Sequence, residues 1–146
     1  MTVSVRRDYP PGEARTGRIT ATVAVASFTD PAREIRCEAV VDTGAYCLTL
    51  PAAWKDRLGP LQLTRAVRVQ VADGRVFEGD LAGPVSIDIA GFGATAAEVS
   101  FIHVVQDEGE YEPLIGYMAL EGARLVVDMV GHRLVRLPHV DLKRVA

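Results

Sequence analysis

Residues 40 to 45 read Val40-Val41-Asp42-Thr43-Gly44-Ala45, and the fold turns on how this stretch is read. Two β-branched residues carry an aspartate to the end of a strand, Glu34 to Val41. Alternation puts Ile35, Cys37, Ala39 and Val41 on one face of that strand. A small hydroxyl residue and a glycine follow at once. A carboxylate in this setting is costly to bury alone. By themselves Asp, Thr and Gly also make an ordinary strand-end turn. The second half of the chain tips the balance. Pro113-Leu114-Ile115-Gly116 leads into a short helical stretch and then Leu125-Val126-Val127-Asp128. Paired apolar residues before a glycine thus occur twice, a weak pseudo-symmetry of two half-folds.

Outward from residues 40 to 45 the chain is a run of short strands with turn signals between them, the pattern of an all-β barrel or sandwich. Ile19 to Phe28 alternates and is β-branched, and Thr29-Asp30-Pro31 ends it. Pro51 opens a short helix, Ala52 to Leu58, that Gly59-Pro60 closes. Leu63 to Ala72 and Arg75 to Leu81 form a hairpin about Asp73-Gly74, a strong two-residue turn signal. Gly83-Pro84 reads as a turn into Val85 to Ile89, and Gly91-Phe92-Gly93 as a turn into Ala94 to Val105. A helix from Tyr117 to Glu121 and two strands, Arg124 to Asp128 and His132 to Leu137, complete the domain. Residues 1 to 17, with Pro10-Pro11-Gly12, read as an N-terminal arm, and residues 18 to 146 as one domain.

The chain has 146 residues, 49% hydrophobic and 24% charged, so it is globular. No apolar run reaches the ~20 residues of a spanning helix, and the first residues lack a secretory leader, so a cytoplasmic protein without membrane contact is expected. The net charge is −3 and the arginines are scattered among acids, which gives no basic stripe for nucleic acid. Cys37 and Cys47 sit in no CxxC and make no disulfide framework. His103, His132 and His139 lack ligand spacing, so no metal is expected. Ser86 and Ser100 have no His-Asp pattern near them. Asp88 and Asp128, at strand ends, read as solvated or turn residues and Trp54 as core. The loop from 106 to 112, with Glu108, Glu110 and Glu112, is a soluble loop that favours basic substrates if it borders a cleft.

Three features together resemble the retropepsin-like aspartic peptidases, a family of retroviral proteases and bacterial relatives. They are VVDTGA at 40 to 45, the hairpin VADGRVFEG at 71 to 79, and PLIGYMAL at 113 to 120. The likeness spans roughly residues 19 to 137. One Asp-Thr-Gly, not two, is similar to the half-sized dimeric branch.

The resemblance implies a closed barrel with one or two short helices, active as a symmetric homodimer. It implies an endopeptidase in which Asp42 of each copy activates a water, with no cofactor and no metal. Thr43 would lock the two loops across the pair. Gly44 would bring its amide to Asp42, and Leu114, Ile115 and Gly116 would buttress the loop from below. Ala45 packs beneath and, with Ala72, Asp73, Gly74 and Arg75 of the flap hairpin, meets an extended peptide or protein substrate. Gly74 and Gly79 are the expected mobile points of that flap. Tyr46 and Cys47 depart from the family pattern, which favours small or polar residues there; Tyr46 either narrows a substrate pocket or is core. The alternative is a catalytically silent peptide-binding or dimerisation module on the same fold.

Overall fold

The structure is a computed structural model that describes residues 2–3, 17–70, 73–103 and 112–137. Among the described residues ten strands occur, β1 (Thr2–Val3), β2 (Thr20–Ser27), β3 (Glu34–Val41), β4 (Leu48–Pro51), β5 (Leu63–Gln70), β6 (Val76–Ile89), β7 (Ala94–Ile102), β8 (Leu114–Ile115), β9 (Leu125–Asp128) and β10 (Arg133–Arg136). A 3-10 helix spans Ala52–Leu58, and a single α-helix, α1, spans Tyr117–Gly122.

Six strands close into a barrel in the order β2-β3-β8-β4-β7-β6, with β6 returning to pair with β2. β5 lies outside this ring and pairs only with β6. The sequence alternation explains the closure. In β2, Ala21, Val23, Val25 and Ser27 are buried while the residues between them are not. In the second half of β6, Val85, Ile87 and Ile89 do the same. These faces meet Ile35, Leu48, Leu50, Phe101 and Ile115, each no more than 1% exposed. Each such apolar side chain contributes roughly 1.5–3 kcal/mol by leaving water. β5, by contrast, is exposed along most of its length.

Gly83-Pro84 does not turn the chain. β6 runs through it as one strand, and its register on β7 slips between Ala82 and Val85. The expected turn is therefore a bulge: pairing to β7 on both sides holds the strand direction, and proline sits where one ladder bond is already missing. The strand expected from Ala94 to Val105 ends at Ile102, with Val104 and Val105 outside the described residues. In the N-terminal arm, Thr2–Val3 pairs with β10, which also pairs with β9. Asp88 and Asp128 are turn residues: Asp88 accepts from the Gly91 amide, and Asp128 accepts from Val130, Gly131 and Arg133.

Candidate active site

Asp42 follows the last residue of β3, and four backbone bonds fix it there. β3 runs parallel to β8, with Val40 opposite Leu114 and Val41 opposite Ile115. The Val40 amide donates to the Pro113 carbonyl at 2.8 Å, and the Asp42 amide to the Ile115 carbonyl at 2.9 Å. On the other side, the Val41 amide donates to Ile19 O at 2.8 Å. The turn after Asp42 closes by an Ala45 amide bond to its carbonyl at 3.1 Å. The Gly44 amide then donates to Asp42 Oδ1 at 2.9 Å. A Cβ on Gly44 would lie 3.1 Å from that oxygen, tighter than normal contact. Glycine thus keeps the amide close to the carboxylate.

Gly116 supports the loop from the other side. A Cβ there would lie 2.5 Å from Cys47 N and 2.6 Å from both Ala45 O and Cys47 O. With no side chain in the way, α1 starts directly against the loop. Its Tyr117 and Met118 amides donate to the carbonyls of Ala45 and Tyr46, both at 2.9 Å. Helix start and aspartate loop therefore satisfy each other's backbone groups.

Asp42 opens onto a cleft of about 680 Å3. Gly44, Ala45, Tyr46 and Leu114 line it beside the aspartate. Val67 and Val69 of β5 and Phe77 of β6 form the hairpin side, with Leu81 and Ile102 deeper. The walls are mainly apolar, so a bound chain would leave water there. Tyr46 is 49% exposed and meets Tyr117 edge-on, with ring centroids 5.6 Å apart. It is therefore a cleft wall and not core.

The sequence matches no family model and no curated protein. Among solved structures the chain is similar to EIAV protease complexed with the inhibitor HBY-793. The identity is 18% and the TM-score 0.51, over 79% of this chain and 92% of that one. The fold is retropepsin-like.

On this retropepsin-like frame the expected site residues separate into two groups. Asp42, Gly44 and Ala45 line the cleft, and Thr43 is exposed on the turn between them. Asp73, Gly74 and Arg75 sit at the hairpin tip and are not among the lining residues. Asp73 accepts the Arg75 amide at 3.0 Å and its Nε at 2.6 Å. These bonds, the amide first, hold the Asp73 carboxyl below its usual range. Arg75 also lies over the Phe77 ring at 5.5 Å. Ala72 lies outside the described residues. Gly74, at φ +87, takes the left-handed backbone that the tight turn requires, whereas Gly79 is needed for close approach, since a Cβ would run into the Phe101 carbonyl.

Composition alone did not single out the hairpin-side lining residues Arg65, Val67, Arg68, Val69 and Phe77. The signal was present in the spacing, since Arg65, Val67 and Val69 share one face of β5. Cys47 also borders the cleft, and burial pushes its thiol up to about 11; a bond from the Ser100 amide opposes this and the Glu98 charge adds to it. Trp54 packs against the core, with Arg57 over its ring at 4.9 Å. Glu112 pairs with Arg18 and is not among the cleft residues; Glu108 and Glu110 lie outside the described residues. Among the described residues no three His, Cys, Asp or Glu side chains gather as a metal site. No helix among them is long and apolar enough to cross a membrane.

Proposed function

We propose that two copies of this chain pair to form an aspartic endopeptidase, each supplying Asp42 to a shared dyad. The observation that carries this reading is the seating of Asp42, held by the Gly44 amide at the edge of an apolar cleft under a β-hairpin. The retropepsin-like fold supports it. A single copy carries a single such aspartate, and a two-fold axis beside it would bring a second.

The chemistry follows from two carboxylates at short range. They cannot both ionise comfortably, so they share one proton and titrate as a pair, as is established for aspartic proteases. The ionised member takes a proton from a water. The water oxygen bonds to the peptide carbonyl carbon while the protonated member donates to the carbonyl oxygen. The carbon–nitrogen bond then breaks as the nitrogen takes up a proton. The Gly44 amide, donating to Oδ1, fixes the orientation of the Asp42 carboxylate. Thr43, exposed next to it, is assigned to bonding across the pair. The peptide binds extended, with main-chain bonds to the β5–β6 hairpin and apolar residues next to the cleaved bond. The chemistry requires neither cofactor nor metal.

The test is cleavage of a diverse peptide mixture by wild type and Asp42→Asn, from acid to neutral pH, read by mass spectrometry with both proteins sized in parallel. Cuts that vanish in a variant of unchanged size support the proposal. Cuts that survive Asp42→Asn, or that come from a monomer, overturn it. A wild-type dimer that binds peptides and cuts none is instead a peptide-binding module.

A further inference from the structure

Resting on that peptidase reading, we infer that the cleft selects substrates with an acidic side chain a few residues from the cleaved bond, and that Arg65 is the residue that recognises it. The strand register places a transverse ladder along one cleft wall. Arg65 is opposite Leu81, Leu81 opposite Ser100, Ser100 opposite Thr49, and Thr49 opposite Leu114. All five line the cleft, and Leu114 in turn is opposite Val40 on the strand that carries Asp42. Arg65 therefore marks the far end of a row that begins beside the aspartate.

The charge of this region runs against that of the chain. The protein carries −3, yet among the described residues the cleft lining holds two guanidinium groups, Arg65 and Arg68, and one carboxylate, Asp42. In a paired dyad that shares a proton, the balance shifts further towards positive. Guanidinium groups on a cleft lining attract acidic chains and repel basic ones.

Two carboxylates compete for these arginines. Glu98 lies 3.6 Å from Arg65 and Glu78 lies 3.9 Å from Arg68, both pairs well exposed. Those separations exceed a hydrogen bond, and exposed pairs of this kind contribute little. A peptide carboxylate that reaches Arg65 meets a planar fork able to give it two short bonds, closer than the Glu98 contact. The wall next to it is also polar at one point. The Ser100 hydroxyl is buried and has no hydrogen-bond partner among the described residues, whereas the Thr49 hydroxyl already donates to the Cys47 carbonyl.

The ladder crosses four strand steps of about 4.8 Å, shortened by the barrel's curvature and by the reach of the arginine side chain. An extended peptide rises about 3.3 Å per residue, so the acidic residue falls several positions from the bond cut, and moving it along the peptide identifies which. In a two-fold dimer the subsite occurs once on each side of that bond.

The experiment compares matched peptides that differ only in one residue, Glu, Gln or Lys, placed in turn at each position on either side of an apolar pair. Selectivity is read as the ratio of kcat/KM, and binding of the same peptides is read by fluorescence anisotropy on Asp42→Asn and on Asp42→Asn with Arg65→Met. The Glu peptide should lead the Gln peptide by about 10- to 100-fold at one position, the ratio expected from one charge-assisted contact. Arg65→Met should abolish that ratio, Arg65→Lys should restore part of it, and added salt should reduce it. Cleavage without acidic preference, or a preference that survives Arg65→Met, overturns the inference and leaves the peptidase reading intact. Acidic peptides that bind through Arg65 and are never cut uphold the inference and sink the peptidase. A protein that neither binds nor cuts them overturns both.

Discussion

Gly116→Ala is the substitution whose consequence the structure states most directly. Gly116 has φ −84 and ψ 174, a backbone that alanine adopts freely, so conformational strain is not at issue. What matters is contact. The new Cβ meets Cys47 N at 2.5 Å, and Ala45 O and Cys47 O at 2.6 Å, all backbone atoms that cannot rotate aside. Overpacking of this kind costs about 1–3 kcal/mol. The shift that relieves it pulls on the two bonds from α1 to the aspartate loop, each contributing about 0.5–1.5 kcal/mol. Alanine recovers about 0.4–1 kcal/mol by restricting the unfolded chain. The net loss is then about 2–4 kcal/mol. For a chain of this size that lowers Tm by about 5–15 °C.

Gly122→Ala is the control. A Cβ there meets nothing within 4 Å, and the residue ends α1. Alanine at that point should stabilise by about 0.5–1 kcal/mol. Denaturant and thermal melts of both variants, followed by circular dichroism, give the comparison. A Gly116→Ala protein that melts with the wild type, or a Gly122→Ala protein that falls with it, refutes the steric argument.

Cys47 should make stability fall as pH rises from about 9 to about 11. The unfolded thiol ionises near 9 and the folded one near 11, so between them only the folded state keeps its proton and alkali favours unfolding. The loss, about 2–3 kcal/mol, should be absent in Cys47→Ala when both are melted across that range. Asp128 is held below the usual carboxylate range, first by the Gly131 amide and then by Arg133, so its contribution is present above that range and fades as pH drops through its folded value; Asp128→Asn should flatten the acid limb of the melting profile. Gly74→Ala forces alanine to φ +87 at the hairpin tip and should cost about 1–2 kcal/mol, read as faster amide exchange in β5 with the barrel strands unchanged. Phe101→Ala removes a fully buried ring and should cost about 3–5 kcal/mol by denaturant melt.

The parts that the sequence announced are those governed by neighbouring residues. The alternation of β2 and β3, the Asp73-Gly74 turn and the glycine after Leu114-Ile115 are local signals, and each stands where expected. The paired apolar residues before Asp42 and before Gly116 proved to be the two halves of one parallel contact, β3 on β8. Gly83-Pro84 misled because its local preference is for a turn, while pairing on both flanks overrides it. The transverse ladder from Arg65 to Leu114 was hidden for a different reason. Its members are drawn from five strands, and no spacing along the chain reveals which strands lie side by side. Tyr46 likewise declared its role only through Tyr117, which is distant in sequence.

β6 serves two structures at once. Its first half is one arm of the cleft hairpin and its second half closes the barrel on β2, with Gly79 pressed against Phe101 near the end of β7. The hairpin is thus a cantilever clamped at its root, and the overhang beyond the clamp is what sets its reach over Asp42. Lengthening both arms equally at the tip would extend that reach with the barrel untouched. Adding a single residue to one arm between the tip and Gly79 would reverse its facing and turn Phe77, or Val67 and Val69, away from the cleft. Descent from a common ancestor should therefore vary this hairpin in matched pairs of residues, and a designer who wants a deeper or shallower cleft has the same unit of change.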